Sequence, residues 1–241
     1  MKTKPARILF ALFAVLLAAP VEAQNTATNP VAGGDWWRSR HESFKRRAQQ
    51  GGVDLLFLGD SITEGWRRAG SNVWNRHFAP RRAAVFGISG DRTQHLLWRL
   101  QHGELDGLQP KVVVLLIGTN NTGKERDSDV PRNTTEEAIA GVTAVVHTLR
   151  EKLPESRVLL LALFPRGTPD DPQRAQVAEV NRGIARLHDG EWVHFLDLGR
   201  HFVGSDGAIS PEIMPDGLHL SEKGYELWAE HLQEPLGRFL P

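Results

Sequence analysis

None of the 241 residues is cysteine, which excludes disulfide stapling, a thiol nucleophile and a lipid anchor on an N-terminal cysteine. Net charge is absent too: 29 Lys and Arg offset 29 Asp and Glu. A balanced chain sets up no field to recruit nucleic acid or an anionic membrane, so neither is expected as a partner. No apolar run reaches the length of a comfortable membrane span, about 20 residues. There is no H-E-x-x-H, and the His and Asp residues lack ligand spacing on any single element, so no metal and no other cofactor is expected. The G-x-S-x-G elbow is missing as well, which argues against the α/β-hydrolase fold.

The N-terminus carries a different signal. Lys2, Lys4 and Arg7 precede an apolar run from Ile8 to Ala19, and Val21-Glu22-Ala23 ends on a small residue. This is the pattern of a secretory signal peptide over residues 1–23. Cleavage after Ala23 is expected to leave a periplasmic or secreted protein. Residues 24–34 (QNTATNPVAGG) are small, polar and Pro/Gly-bearing, and read as a flexible lead-in. The remainder, 35–241, reads as one domain.

In that remainder apolar runs alternate with helical patterns. The strand candidates are Val53–Leu58, Ala83–Phe86, Lys111–Ile117, Arg157–Leu163 and Val193–Leu196. Two of them are almost wholly apolar, as strands are when helices cover both faces of a parallel sheet. Over 135–153, Ala138, Ile139, Val142, Val145, Val146, Leu149 and Leu153 share a helical face. In the last helix Ser221 can cap, and Tyr225, Trp228, Ala229, Leu232 and Leu236 form a stripe. The alternation predicts an α/β domain with five mostly parallel strands.

Ligands of open parallel sheets sit beyond the carboxyl ends of the strands. The loops there hold Gly59-Asp60-Ser61, Gly87-Ile88-Ser89-Gly90-Asp91, Gly118-Thr119-Asn120-Asn121 and Asp216-Gly217-Leu218-His219. A serine hydroxyl needs a base to become a nucleophile, and His219 suits that role. The imidazole needs an orienting carboxylate, and Asp216 precedes it by three residues. The developing oxyanion needs donors: the amides of Ser61 and Gly90 and the side-chain amide of Asn120.

In this order the four blocks GDSI, ISGD, GTNN and DGLH resemble those of the SGNH (GDSL) hydrolase family. The longer stretches FGISGDRTQHLLWRLQHGELDGLQPKVVVLLIGTNN, LFPRG, FVGSDGAIS and LHLSEKGY are similar to the intracellular platelet-activating factor acetylhydrolase catalytic subunits. The resemblance implies a flavodoxin-like three-layer α/β/α sandwich around a five-stranded parallel sheet. It also implies metal-free ester hydrolysis through an acyl-serine. It assigns Ser61 as nucleophile, His219 as base, Asp216 as its partner, and Ser61, Gly90 and Asn120 as the oxyanion hole. The similar subunits pair, which makes a homodimer an expectation. Those relatives act inside cells, so their substrate is not carried over to a chain with an export signal.

Plainer roles compete. Ser61 can be a helix N-cap, and Asp60, Asp91 and Asp206 ordinary turn residues that bond nearby backbone. Gly118–Lys124 (GTNNTGK) fits the start of a phosphate loop, but Glu125 stands where a hydroxyl is needed and no helical pattern follows. Among the seven Trp, Trp98 and Trp228 fall on core stripes, whereas Trp66 and Trp74 lie nearer Ser61 and are candidates to border a substrate. Ile62, Thr119 and Leu218 each neighbour a proposed catalytic residue and are expected to form a compact, mostly apolar wall. A short acyl group, acetyl above all, follows from that wall. The substrate class is then an acetyl ester of a lipid or of a glycan, with a non-catalytic binding protein as the remaining alternative.

Overall fold

Five short apolar runs become five parallel strands in a computed structural model that describes residues 25–240. The expected signal peptide lies outside the described residues. The strands are β1 (Leu55–Gly59), β2 (Ala83–Gly87), β3 (Val112–Leu116), β4 (Arg157–Leu161) and β5 (Val193–Leu196), in the spatial order β2-β1-β3-β4-β5. Every residue of β1 and β3 is buried, which their unbroken apolar sequences require. Each predicted strand is present, trimmed or extended by a residue or two at its ends. The result is a layered α/β fold, a five-stranded parallel sheet flanked by helices, as the resemblance implied.

Seven α-helices are present among the described residues: α1 (Asp35–Gln49), α2 (Ser61–Glu64), α3 (Ser71–His77), α4 (Thr93–Gln101), α5 (Thr135–Lys152), α6 (Pro172–Ile184) and α7 (Glu222–Gly237). Helices α4, α5 and α6 pack in sequence against one another, and α3 packs against α7. α5 begins with a reciprocal cap: Thr134 Oγ1 accepts the Glu137 amide at 3.2 Å, and Glu137 Oε2 accepts the Thr134 amide at 2.9 Å. Its predicted stripe of Ala138, Val142, Val145, Val146 and Leu149 is buried. α7 starts from Ser221, whose hydroxyl accepts the Gly224 amide at 3.2 Å, and its predicted stripe is buried from Tyr225 to Leu236. Among the described residues no helix is long and apolar enough to cross a membrane.

Strand register sets the height of the loops. Gly59 lies level with Gly87 of β2 and Leu116 of β3. The chain therefore leaves these three adjacent strands on one plane, beside the point where strand order reverses between β1 and β3.

The lead-in differs from its expectation. Residues 25–34 are docked rather than free. A 3₁₀ turn, Thr26–Thr28, buries Ala27 completely. The Ala27 carbonyl accepts the Thr93 hydroxyl at 2.7 Å, Thr26 Oγ1 accepts Asn133 Nδ2 at 2.8 Å, and the Val31 amide donates to the Gln94 carbonyl at 3.1 Å. Gly141 on α5 supplies the space, since a Cβ there would stand 3.0 Å from that of Ala27. Polar, small residues signalled flexibility because their partners are more than sixty positions away.

Candidate active site

Ser61, the proposed nucleophile, follows a glycine that ends β1 and an aspartate that caps α2. β1 must end in Gly59, because a Cβ there would lie 2.1 Å from the Leu116 carbonyl oxygen. Asp60 is the N-cap of α2, and its Oδ1 accepts the Ile62 amide at 3.0 Å. Ser61 is thus the first helical residue and not the cap. Its hydroxyl is left free for His219, whose Nε2 stands 3.0 Å from Ser61 Oγ.

The loop ahead of α7 makes the rest of the relay. Asp216 Oδ2 stands 2.7 Å from His219 Nδ1. Asp216 Oδ1 accepts the amides of Leu218 at 3.0 Å and His219 at 2.7 Å. Gly217, at φ +71°, permits the tight turn between them. Partial burial pushes the Asp216 carboxyl upward, but bonds from the His219 ring and from the two amides outweigh it and hold the group below its ordinary value. An ionised Asp216 accepts a hydrogen bond from Nδ1–H, which keeps the proton on Nδ1 and leaves the Nε2 lone pair facing the Ser61 hydroxyl. Three residues of spacing were legible in the sequence because one turn holds both side chains.

Opposite the base, Ser61, Gly90 and Asn120 line a common cavity of about 440 Å³ together with Leu218 and His219. Gly90 holds φ +82°, a left-handed conformation that glycine adopts freely. Asn120 Nδ2 donates to the Asp91 carbonyl at 2.9 Å, which fixes the amide plane and leaves a second N–H. All the residues expected to form the triad and the oxyanion hole are therefore brought to one place.

Other expectations need correction. Ile62 and Thr119 do not line the cavity: they are 1 % and 2 % exposed. Ile62 turns inward into the hydrophobic core, and Thr119 Oγ1 accepts from Arg166 Nη1 at 3.2 Å. Only Leu218 of the predicted wall reaches the cavity. Trp66 and Trp74 do not border it either. Trp66 is fully buried, with its ring 4.5 Å from that of Tyr225 and 4.9 Å from that of Trp228, and Trp74 packs on Phe57 at 5.1 Å. Nearness to Ser61 in sequence brings neither ring to the cavity.

Asp91 is not a local turn residue. Its two oxygens accept Trp37 Nε1 and Arg99 Nη1, each at 2.5 Å. Arg99 is wholly buried, bonds Glu104 through Nε at 2.7 Å, and donates to the Phe86 carbonyl at 2.7 Å. A buried cation between two carboxylates closes the ends of β1 and β2 beneath the site. Asp206 keeps its expected role and accepts the Ala208 amide at 2.9 Å.

Glu64, the last residue of α2, reaches across to the loop after β2. Its side chain is 4 % exposed, and Oε2 accepts both the amide of Ser89, at 2.8 Å, and the Ser89 hydroxyl. Burial raises the Glu64 carboxyl, but the Ser89 bonds and the Arg68 charge hold it below its ordinary value. Tyr225, read as core, donates its hydroxyl to the Ile62 carbonyl at 2.6 Å and also touches the cavity. Neither contact has a local signal, since each spans 25 or more positions in the chain.

The geometry has counterparts among known proteins. The sequence profile of the GDSL-like Lipase/Acylhydrolase family matches residues 57–227. The chain is 38% identical over 223 residues to the human platelet-activating factor acetylhydrolase IB subunit alpha1, an alignment covering 90% of this chain and 92% of that one. A GDSL-like lipase from Bacteroides thetaiotaomicron shares the fold at a TM-score of 0.66, with 18% identity over 84% of this chain and 98% of the other. A carbohydrate acetylesterase from Sinorhizobium meliloti shares it at 0.59, with 19% identity over 77% and 99%. A serine relay at the switch point of a parallel sheet, and a match that spans both the nucleophile and the base, lead to one conclusion: the chain belongs to the GDSL-like lipase/acylhydrolase family and is a carboxylic ester hydrolase.

Proposed function

We propose that the protein hydrolyses short-chain esters, acetyl esters first, through an acyl-serine intermediate. The unbroken line from Asp216 through His219 to Ser61 carries this reading. His219 Nε2 takes the Ser61 proton as Oγ attacks the ester carbonyl carbon. The Ser61 and Gly90 amides and Asn120 stabilise the negative oxygen of the tetrahedral intermediate. His219 then returns the proton to the departing alcohol, and a water repeats the sequence to release the acid.

The short acyl preference is supported by Leu218 in the cavity wall and by similarity to acetylhydrolase subunits. A glycan O-acetyl ester is the second reading. It is favoured by the export pattern at residues 1–23 and by the shared fold of a carbohydrate acetylesterase. Export itself, and pairing as a homodimer, belong to the same proposal.

The test is turnover of p-nitrophenyl esters from acetate to octanoate by the wild type and by Ser61→Ala. The variant is expected to lose at least about 10⁴-fold in kcat while keeping its thermal midpoint. Full turnover by Ser61→Ala would sink the mechanism. Activity that climbs toward octanoate would overturn the short acyl preference alone.

A further inference from the structure

A second, open cleft of about 260 Å³ adjoins the catalytic cavity. Its walls are Trp36, Arg40, Glu64, Arg67 and Arg68, and Arg68 lines the catalytic cavity too. Three guanidinium groups meet one carboxylate there. That carboxylate is already engaged: Oε2 of Glu64 holds Ser89, and Oε1 lies 3.0 Å from Arg68 and 3.6 Å from Arg40. Arg67 has no carboxylate within salt-bridge distance among the described residues, and Arg40 Nε is buried with no hydrogen-bond partner. Three guanidinium groups against one carboxylate leave the cleft with more positive charge than its own groups neutralise, and burial, then the neighbouring Arg40 charge, pulls Arg67 below its ordinary value. In a chain of zero net charge this excess is local.

The cleft also has an aromatic wall. Trp36 is 55 % exposed, the most open aromatic side chain among the described residues, although its neighbour Trp37 is buried. An indole face standing free beside planar cations suits a ligand with a flat apolar face and an anionic group. A pyranose ring bearing a carboxylate has both: its C–H face lies on the indole, and its carboxylate takes paired N–H bonds from a guanidinium. Ser61 attacks from the cavity that Arg68 shares, so the cleft is placed to receive the alcohol side of the ester.

We propose that this cleft is a subsite for an acidic glycan, and that the ester hydrolysed at Ser61 is carried on a uronate-type sugar. The proposal rests on the esterase reading of Ser61, but its test does not require turnover. Binding is measured by calorimetry on Ser61→Ala protein with tetragalacturonate, with neutral xylotetraose, and with phosphatidylglycerol vesicles. Tetragalacturonate is expected to bind at least about tenfold tighter than xylotetraose, and to weaken as salt is raised, because the attraction is between charges. Arg67→Gln, Arg40→Gln and Trp36→Ala are each expected to erase most of that preference. Equal affinity for the two oligosaccharides, or a preference that survives all three substitutions, would overturn the subsite. Binding to the vesicles without binding to tetragalacturonate would overturn the glycan assignment in favour of a lipid phosphate. Absent binding beside intact p-nitrophenyl acetate hydrolysis by the wild type would sink the subsite and leave the esterase standing.

Discussion

Glu64 Oε2 accepts the backbone amide of Ser89 at 2.8 Å, and so ties the helix that carries Ser61 to the loop that carries Gly90. The two residues lie 25 positions apart, on neighbouring strand ends. Two proposed oxyanion donors, the amides of Ser61 and Gly90, are held in mutual position by that one carboxylate. A buried hydrogen bond to a charged group contributes about 1.5–3 kcal/mol. If it is spent on aiming the Gly90 amide, Glu64→Ala should lower kcat on p-nitrophenyl acetate by about 10- to 100-fold with little change in KM. Glu64→Gln, which keeps an acceptor for the Ser89 amide, should recover much of the loss. A variant that loses activity only in proportion to unfolded protein would show that Glu64 serves stability and not the site, and one that changes KM alone would place its role in substrate binding and not in aiming the Gly90 amide.

Gly90 and Gly87 sit in the same loop region but should fail differently. At Gly90 an added Cβ meets nothing within 4 Å, yet φ is +82°, which an alanine adopts at a penalty of about 1–2 kcal/mol. At Gly87 the added Cβ would stand 2.3 Å from the Glu64 amide nitrogen, where backbone cannot give way. Gly90→Ala is expected to fold, with its thermal midpoint lowered by about 2–8 °C, and to lose activity as its amide is re-aimed. Gly87→Ala is expected to lose the folded state or most of its stability. Thermal melts beside kcat measurements separate the two, and an active, stable Gly87→Ala would contradict the packing described.

These contrasts show what the sequence made legible. β1 and β3 were readable because a doubly covered strand must be apolar throughout, and α5 and α7 because their stripes are long. The grouping of Asp216, His219 and Ser61 was readable because Asp216 and His219 share a turn and because Ser61 follows a strand. Ile62 and Thr119 were misplaced because adjacency to a catalytic residue does not fix the direction of a side chain; both turn inward. The partners of Glu64, Asp91 and Arg99 were hidden for another reason. Their contacts are tertiary, and nothing local distinguishes a buried ion pair from a solvated charge until the chain is folded.

The docked lead-in should be part of the folding unit. Removing residues 25–34 deletes a fully buried alanine and the three long-range hydrogen bonds from Thr93, Asn133 and Val31. At about 1 kcal/mol for each bond, the loss is about 3 kcal/mol. For a domain of this size that lowers the thermal midpoint by about 6–12 °C. Unchanged melting of a protein beginning at Asp35 would return the segment to the status of a flexible tail.

Asp60 makes stability depend on pH in a direction opposite to the usual carboxylate. Its Oδ1 caps α2, but Oδ2 is buried without a partner. Burial pushes the carboxyl up from 3.8 to about 7, against the lowering effect of the Ile62 amide and with a smaller upward push from Asp91. Between those values the folded protein binds a proton that the unfolded chain has released, so stability falls as pH rises. Below that window the contribution of Asp60 is flat, and above it the full penalty of a buried charge is present. Asp60→Asn keeps an oxygen for the Ile62 amide and has no charge to bury. Relative to the wild type the variant should therefore gain stability steadily from pH 4 to 7, by up to about 4 kcal/mol. Denaturant melts of both proteins across that range measure the difference directly. Parallel curves would mean that Asp60 is ionised in the fold throughout, with its charge compensated by neighbours such as Arg166.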